Sequence, residues 1–249
     1  MSGHNRWTKI KRQKEAMGAS KGKLFTKLIK EITVAARLGG GDPAGNARLR
    51  AAMLAAREAN MPGDNITRAV KKGTGELEGV HYEEVTYEGY APGGVAVLVE
   101  VLTDNRNRTA GDIRATFSKG GGNLAAEGSV AWNFQRKGSI VVRSGPSEDR
   151  VMEAALDAGA DDVVAQGGEG FEVRTDPALL HQISASLEKS GLSLGEQRWV
   201  YLPQNTVKVE GEAVKKVVKL LELLEDNDDV QNVWANADIS ERELEQLGG

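Results

Sequence analysis

Apolar residues recur every three or four positions in the first third of the chain, a spacing that predicts amphipathic helices. Leu24, Leu28 and Ile32 share one helical face, and the glycines and proline that follow Leu38 end the segment. Val34 is the exception, because it projects among the lysines of the opposite face. Three helices are predicted, at residues 20–38, 44–59 and 64–73, the last with Asp64 as its N-cap.

Beyond residue 75 the apolar period changes from 3.6 to 2, which indicates strands. Val130, Trp132 and Phe134 alternate in this way, so we expect them on one face of a strand. The other elements predicted before residue 135 are strands at 84–90 and 94–102 and a helix at 108–118.

Residues 138–202 give the order βαββαβ, which is that of a ferredoxin-like split βαβ domain. Residues 206–235 form a further strand, helix and strand that need a sheet to join, and residues 82–134 offer an incomplete one. We therefore predict an α+β protein: an N-terminal three-helix domain, then two ferredoxin-like α/β domains with the third inserted in the second. The predicted domains are residues 1–75, residues 76–135 with 203–240, and residues 136–202.

The charge of the chain is divided unevenly along its 249 residues. Residues 1–75 hold 16 Lys and Arg against 5 Asp and Glu, whereas residues 76–249 hold 16 against 31. The net charge of −4 is therefore the sum of a basic N-terminal region and the acidic domains that follow it. This asymmetry predicts a polyanionic partner for the first domain.

Several function classes are excluded or disfavoured by composition. The chain has no cysteine and only three widely spaced histidines, so we expect no metal site and no cofactor. The acidic run at residues 225–229 lacks calcium-loop spacing and is interpreted as a solvated turn. No set of nucleophile, base and orienting residue is found, which argues against an enzyme. Without an apolar run long enough to span a bilayer, we expect a soluble, cytoplasmic protein with no membrane partner.

The candidate nucleic-acid-binding residues are cations in three places, with one aromatic that is able to stack on a base. The N-terminal arm supplies Arg6, Trp7, Lys9, Lys11, Arg12 and Lys14. The first helix supplies an exposed face formed by Lys23, Lys27, Lys30 and Arg37, and the third helix ends in Lys71 and Lys72.

The polar stretch at residues 103–109 allows two interpretations. Either Asp104 or Asn105 caps the following helix and its arginines are solvated, or Arg106 and Arg108 extend the polyanion contact. The tryptophans that end or interrupt strands, Trp132, Trp199 and Trp234, are interpreted as core or domain-interface residues.

Motifs spread over nearly the whole chain resemble the YebC/PmpR family. They lie at residues 1–4, 7, 10–11, 22–28, 31–41, 60–66, 72–75, 87–94, 103–109, 128–132 and 230–233. The resemblance implies the same three-domain fold, with the third domain inserted in the second. It also implies a presumed transcriptional regulator that binds promoter DNA, although related members, including mitochondrial ones, act instead in translation at the ribosome.

The sequence therefore predicts a nucleic-acid-binding regulatory protein, first as a DNA-binding regulator of transcription. The alternative is a ribosome-associated translation factor that uses the same cations on ribosomal RNA. Charge does not distinguish these two partners, and the pattern leaves the oligomeric state open.

Overall fold

The computed structural model describes residues 21–166 and 170–245, which form parts of two compact units. One unit contains the chain up to Phe134 and from Pro203 onward, and the other is Gln135–Leu202. The predicted α+β fold class is confirmed, with helices first and two α/β parts after them. The division into domains at residues 75, 135 and 202 stays our proposal.

The described part of the first unit begins with three helices: α1 (Lys21–Gly39), α2 (Ala47–Glu58) and α3 (Gly63–Thr74). Their apolar faces meet in one core that includes Ile32, Leu49 and Ile66. Helix α3 approaches α1 closely at Gly73, where a Cβ would lie 2.4 Å from the Thr33 carbonyl oxygen. The N-cap of α3 is Pro62 rather than Asp64, which lies in the first turn instead.

A four-stranded sheet follows in the same unit, in the order β3-β1-β2-β9. Its strands are β1 (Glu83–Ala91), β2 (Val95–Thr103), β3 (Asn123–Leu124) and β9 (Val230–Ala235). Helices α4 (Arg106–Lys119) and α7 (Glu212–Glu225) contribute Ile113, Phe117 and Leu221 to the core on one face of this sheet. The C-terminal segment therefore completes the sheet begun before residue 135, as predicted.

The described part of this unit also contains a two-stranded parallel pair and a short helix after it. Strand β8 (Val207–Lys208) pairs with β10 (Ala237–Asp238), and α8 (Glu241–Glu245) follows. Ile239 and Leu244 join the same core as β2 and α7.

The second unit has the four-stranded order β5-β6-β4-β7, with Ile140, Ile183 and Val173 in its core. It contains β4 (Phe134–Arg143), α5 (Glu148–Ala158), β5 (Asp162–Ala165), β6 (Gly170–Thr175), α6 (Leu180–Lys189) and β7 (Leu194–Pro203). This is the βαββαβ order that the sequence predicted.

The prediction of a strand through Val130 and Trp132 is wrong. Ala131–Asn133 form a 3₁₀ turn, and β4 begins only at Phe134. Trp132 is 66% exposed, so its interpretation as a core residue is wrong, whereas Trp234 is buried as expected. Trp199 is partly buried against the core of the second unit.

Candidate nucleic-acid interface

Three lysines of the predicted cationic face, Lys23, Lys27 and Lys30, contact the C-terminal end of α7 and the loop after it. The Lys23 Nζ lies 3.0 Å from Asp226 Oδ1, and the Lys27 Nζ donates to the Glu225 carbonyl oxygen at 2.7 Å. A helix C-terminus carries unpaired carbonyls and a partial negative charge, so it attracts cations. The lysine face of α1 is therefore an interface within the chain.

Lys30 is the most enclosed of these cations. Its side chain is 8% exposed, and its Nζ lies 2.6 Å from Asp229 Oδ1. It also donates to the Asp228 carbonyl oxygen at 2.9 Å and lies over the Tyr82 ring, 5.5 Å from its centroid. A cation so enclosed is not available to an external phosphate.

Asp229 gathers hydrogen bonds from three elements, and we call this group the Asp229 cluster. Its members are Lys30, Thr103, Arg108, Thr109 and Asp229. The second oxygen of Asp229 accepts from Thr109 Oγ1 at 2.6 Å and from Arg108 Nη2 at 2.9 Å. Burial alone would raise the pKa of Asp229, but the hydrogen bonds from Lys30, Thr109 and Arg108 outweigh it and lower the pKa to about 2.

Three expectations from the sequence are corrected by this part of the structure. The face formed by Lys23, Lys27, Lys30 and Arg37 is not an open cationic surface, because the chain's own carboxylates and carbonyls occupy it. The acidic run at 225–229 is likewise not simply a solvated turn, since Asp229 is only 7% exposed. Val34, expected among exposed lysines, is buried on this side of α1.

Two arginines fix the helices to the start of β1. Arg37 donates through Nη2 to the Tyr82 carbonyl oxygen. Arg48 lies 2.6 Å from a Glu31 oxygen and 2.7 Å from a Glu84 oxygen. Burial disfavours the charged guanidinium, yet the hydrogen bonds to both carboxylates raise the pKa of Arg48 above its usual value. Both arginines therefore have a structural role.

Each of the two interpretations of residues 103–109 holds for a different part of the stretch. Asn105 caps α4, because its side chain accepts from the Arg108 amide at 3.0 Å. Arg108 is held by Asp104 and Asp229. Arg106 is exposed, and its side chain forms no ion pair within the part of the chain that the structure describes. Only Arg106 therefore keeps the polyanion interpretation open.

Five cations of α2 and α3 are exposed, and we call them the α2–α3 cations. They are Arg50, Arg57, Arg68, Lys71 and Lys72. None forms an ion pair with a described residue, and Arg50 donates only to the carbonyls of Pro43 and Ala44. They retain the charge and exposure that a phosphate contact requires.

Three of these five cations, Arg50, Arg57 and Arg68, were not among the candidates from the sequence. Helical spacing gave a signal only for Arg68, which lies opposite the buried Ile66, whereas Arg50 and Arg57 lie about 100° and 80° from the buried Leu49. Lys71 and Lys72, which were predicted, are exposed near the end of α3. The arm residues Arg6, Trp7, Lys9, Lys11, Arg12 and Lys14 lie outside the described residues.

Metal and membrane chemistry can be assessed for residues 21–166 and 170–245. Within these ranges there is no group of three histidine, aspartate or glutamate side chains able to hold a metal ion. No helix found there is both long and apolar enough to cross a membrane.

The fold and charge define a class: an α+β protein whose N-terminal helices carry surplus positive charge. Residues 5–76 match the TACO1/YebC N-terminal domain, and residues 82–237 match the TACO1/YebC second and third domain. The chain belongs to the TACO1/YebC family.

Relatives support this assignment across the full length. A "Probable transcriptional regulatory protein" of Myxococcus xanthus is 68% identical, covering 99% of each chain. A "Probable transcriptional regulatory protein" of Geobacter sulfurreducens is 56% identical, covering 99% of this chain and all of its own. The crystal structure of a conserved hypothetical protein from Aquifex aeolicus, 51% identical, gives a TM-score of 0.83, with 90% of this chain and 92% of that chain covered.

Proposed function

We propose that this chain is a regulatory protein that holds nucleic-acid phosphates with the α2–α3 cations, and that DNA in transcription is its first target. The supporting observation is that these five cations are exposed without a described acidic partner. Of the other cations on the described helices, Lys23, Lys27, Lys30, Arg37 and Arg48 are held by the chain itself. Lys21, at the start of α1, is exposed. The basic arm, if it joins the α2–α3 cations, extends the same contact.

The regulatory role rests on the names of the relatives, which are described as probable transcriptional regulatory proteins. We infer that this chain acts in the cytoplasm by binding rather than by catalysis, without a cofactor. Phosphate contacts fix a protein on nucleic acid but carry no sequence information of their own. Structured ribosomal RNA is therefore the alternative target, and the experiment must separate the two.

The direct test measures binding of a fluorescently labelled DNA duplex to the full chain at several salt concentrations. The variant Arg68→Glu/Lys71→Glu/Lys72→Glu reverses three of the α2–α3 cations. We expect its affinity to fall by at least about 10-fold and its salt slope to decrease by about 3, since each phosphate contact contributes about 0.9 to the slope.

The matched control is Lys215→Glu/Lys216→Glu/Lys219→Glu, which makes the same change in net charge on the exposed side of α7. We expect the control to bind nearly as the unmodified chain does. Equal losses in both variants would show that overall charge, rather than the α2–α3 cations, governs the affinity.

The kind of nucleic acid is tested by sedimenting the protein with ribosomes from a lysate. Tight, sequence-dependent DNA binding without co-sedimentation supports the role in transcription. The opposite result has two parts: the unmodified chain co-sediments with ribosomes but Arg68→Glu/Lys71→Glu/Lys72→Glu does not, and DNA binding is weak and indiscriminate. That result would replace the role in transcription with the role in translation.

A further inference from the structure

A large aromatic side chain projects from the turn that precedes β4. Trp132 lies in the 3₁₀ turn Ala131–Asn133 and is 66% exposed. No other large apolar side chain that is exposed belongs to this turn. The exposed residues on either side of it along the chain are Ala126, Glu127, Gly128, Gln135 and Arg136. The indole is therefore an exposed ring whose exposed neighbours along the chain are mostly polar or small.

The turn that carries Trp132 and the residues before it are fixed by hydrogen bonds to a buried carboxylate. Glu88 is 5% exposed and accepts from the backbone amides of Gly128, Val130 and Ala131 at 2.7, 2.6 and 2.8 Å. Burial of Glu88 would raise its pKa, but these three amides outweigh burial and lower the pKa, so the carboxylate stays ionised. Charge-assisted hydrogen bonds of this kind fix the backbone of the turn.

The indole itself is also oriented. Its Nε1–H donates to the Ser129 carbonyl oxygen at 2.9 Å, and the same oxygen accepts from the Tyr90 hydroxyl at 3.1 Å. The one polar atom of the side chain is thus used within the turn. What faces solvent is a planar aromatic surface without a free donor.

We propose that Trp132 is a stacking platform for an unpaired nucleobase. This inference rests on the proposed function and extends it, since the α2–α3 cations contact phosphates only. A pre-oriented ring loses little conformational entropy on binding, and stacking needs no hydrogen-bonding partner on the indole. A protein partner would instead favour an apolar rim around the tryptophan, which the turn does not provide.

The test measures affinity of the full chain for a labelled single-stranded 20-nucleotide DNA and for the matching duplex. Trp132→Ala is expected to weaken binding to the single strand about 10-fold and to the fully paired duplex much less. Trp132→Tyr keeps a planar ring and is expected to retain most of the affinity, whereas Trp132→Leu keeps only apolar bulk and is expected to behave like alanine. The salt slope should not change in any of the three, because no cation is removed.

Leu156→Ala is the matched control, since Leu156 is also 66% exposed but lies on α5 of the second unit. Its affinity should equal that of the unmodified chain. Thermal unfolding of every variant should show that the fold is retained, as expected for exposed side chains.

The possible outcomes are distinct. If Trp132→Leu binds as well as the unmodified chain, the contact is not stacking and the inference is overturned. If Trp132→Ala binds normally while Arg68→Glu/Lys71→Glu/Lys72→Glu does not, the stacking platform fails and the proposed function stands. If neither variant loses affinity for any of the nucleic acids, both proposals fail.

Discussion

The lysine face of α1 and the α2–α3 cations are both sets of basic residues on the N-terminal helices, yet their surroundings differ. Lys23 and Lys30 form ion pairs with Asp226 and Asp229 of the C-terminal segment. Lys71 and Lys72, by contrast, are exposed and have no ion pair among the described residues. One set of cations holds the chain together, and the other is available to a partner.

The difference shows that a basic helical stripe does not define a binding surface by itself. A cation contributes to external binding only if no internal carboxylate already neutralises it and if solvent reaches it. Breaking a buried ion pair also leaves an uncompensated charge, which is costly. Lys30 therefore stabilises the fold rather than contributing to the binding of an external partner.

The largest effect is expected from Asp229→Asn. The amide keeps the shape but loses the charge that neutralises Lys30, so a buried ammonium is left unpaired. We expect the free energy of unfolding to fall by about 3 kcal/mol or more, as for other broken buried pairs. Urea denaturation measures this change.

Asp228→Asn provides the control, because the Asp228 side chain is exposed and only its carbonyl oxygen contacts Lys30. Its free energy of unfolding should stay within about 0.5 kcal/mol of the unmodified chain. Similar losses in both variants would contradict the special role given to Asp229.

The same carboxylate predicts a pH dependence. The pKa of Asp229 is about 2 in the folded chain, below its value of about 3.9 in unfolded chains. Its stabilising contribution is therefore complete above about pH 5 and is lost as the pH falls through 4 toward 2. The stability difference between the unmodified chain and Asp229→Asn should shrink over this range, and a difference that stays constant would contradict the lowered pKa.

A smaller effect is expected from Lys23→Ala. The Lys23 and Asp226 side chains are 46% and 71% exposed, so water screens their ion pair. We expect a loss of less than about 1 kcal/mol in the free energy of unfolding. A loss as large as that of Asp229→Asn would show that the whole lysine face, rather than Lys30, supports the interface.

The smallest effect on stability is expected from Lys71→Gln/Lys72→Gln. Both side chains are exposed without a described ion pair, so the free energy of unfolding should change by no more than about 0.5 kcal/mol. Nucleic-acid affinity should nevertheless fall, with a smaller salt slope. Unchanged affinity in this variant would remove Lys71 and Lys72 from the proposed interface.

The elements themselves could be predicted from the sequence because their signals are local. The spacing of Leu28 and Ile32 indicated α1, and the side chain of Asn105 capped α4 as one interpretation expected. The partner of Lys30 could not be predicted in this way, since Asp229 is 199 residues away. Only the fold brings these two residues together.

Trp132 shows a different difficulty, because here a local pattern is present but predicts the wrong structure. Its alternation with Val130 and Phe134 is typical of a strand. The backbone amides of this segment instead donate to the Glu88 carboxylate, and the segment forms a turn. A carboxylate that lies 42 residues earlier than Val130 leaves no local signal. The domain and the charge of the candidate site therefore stay predictions, and the structure changes only the helix faces that we propose to carry it.

The most direct measurement of the central claim is chemical acetylation of lysines in the full chain, with and without bound nucleic acid. We predict that Lys30 is unreactive in both states, because Asp229 encloses it. Lys71 and Lys72 should react readily in the free chain and become protected when nucleic acid binds. Reactive Lys30 in the free chain, or Lys71 and Lys72 that stay equally reactive in the complex, would contradict the account.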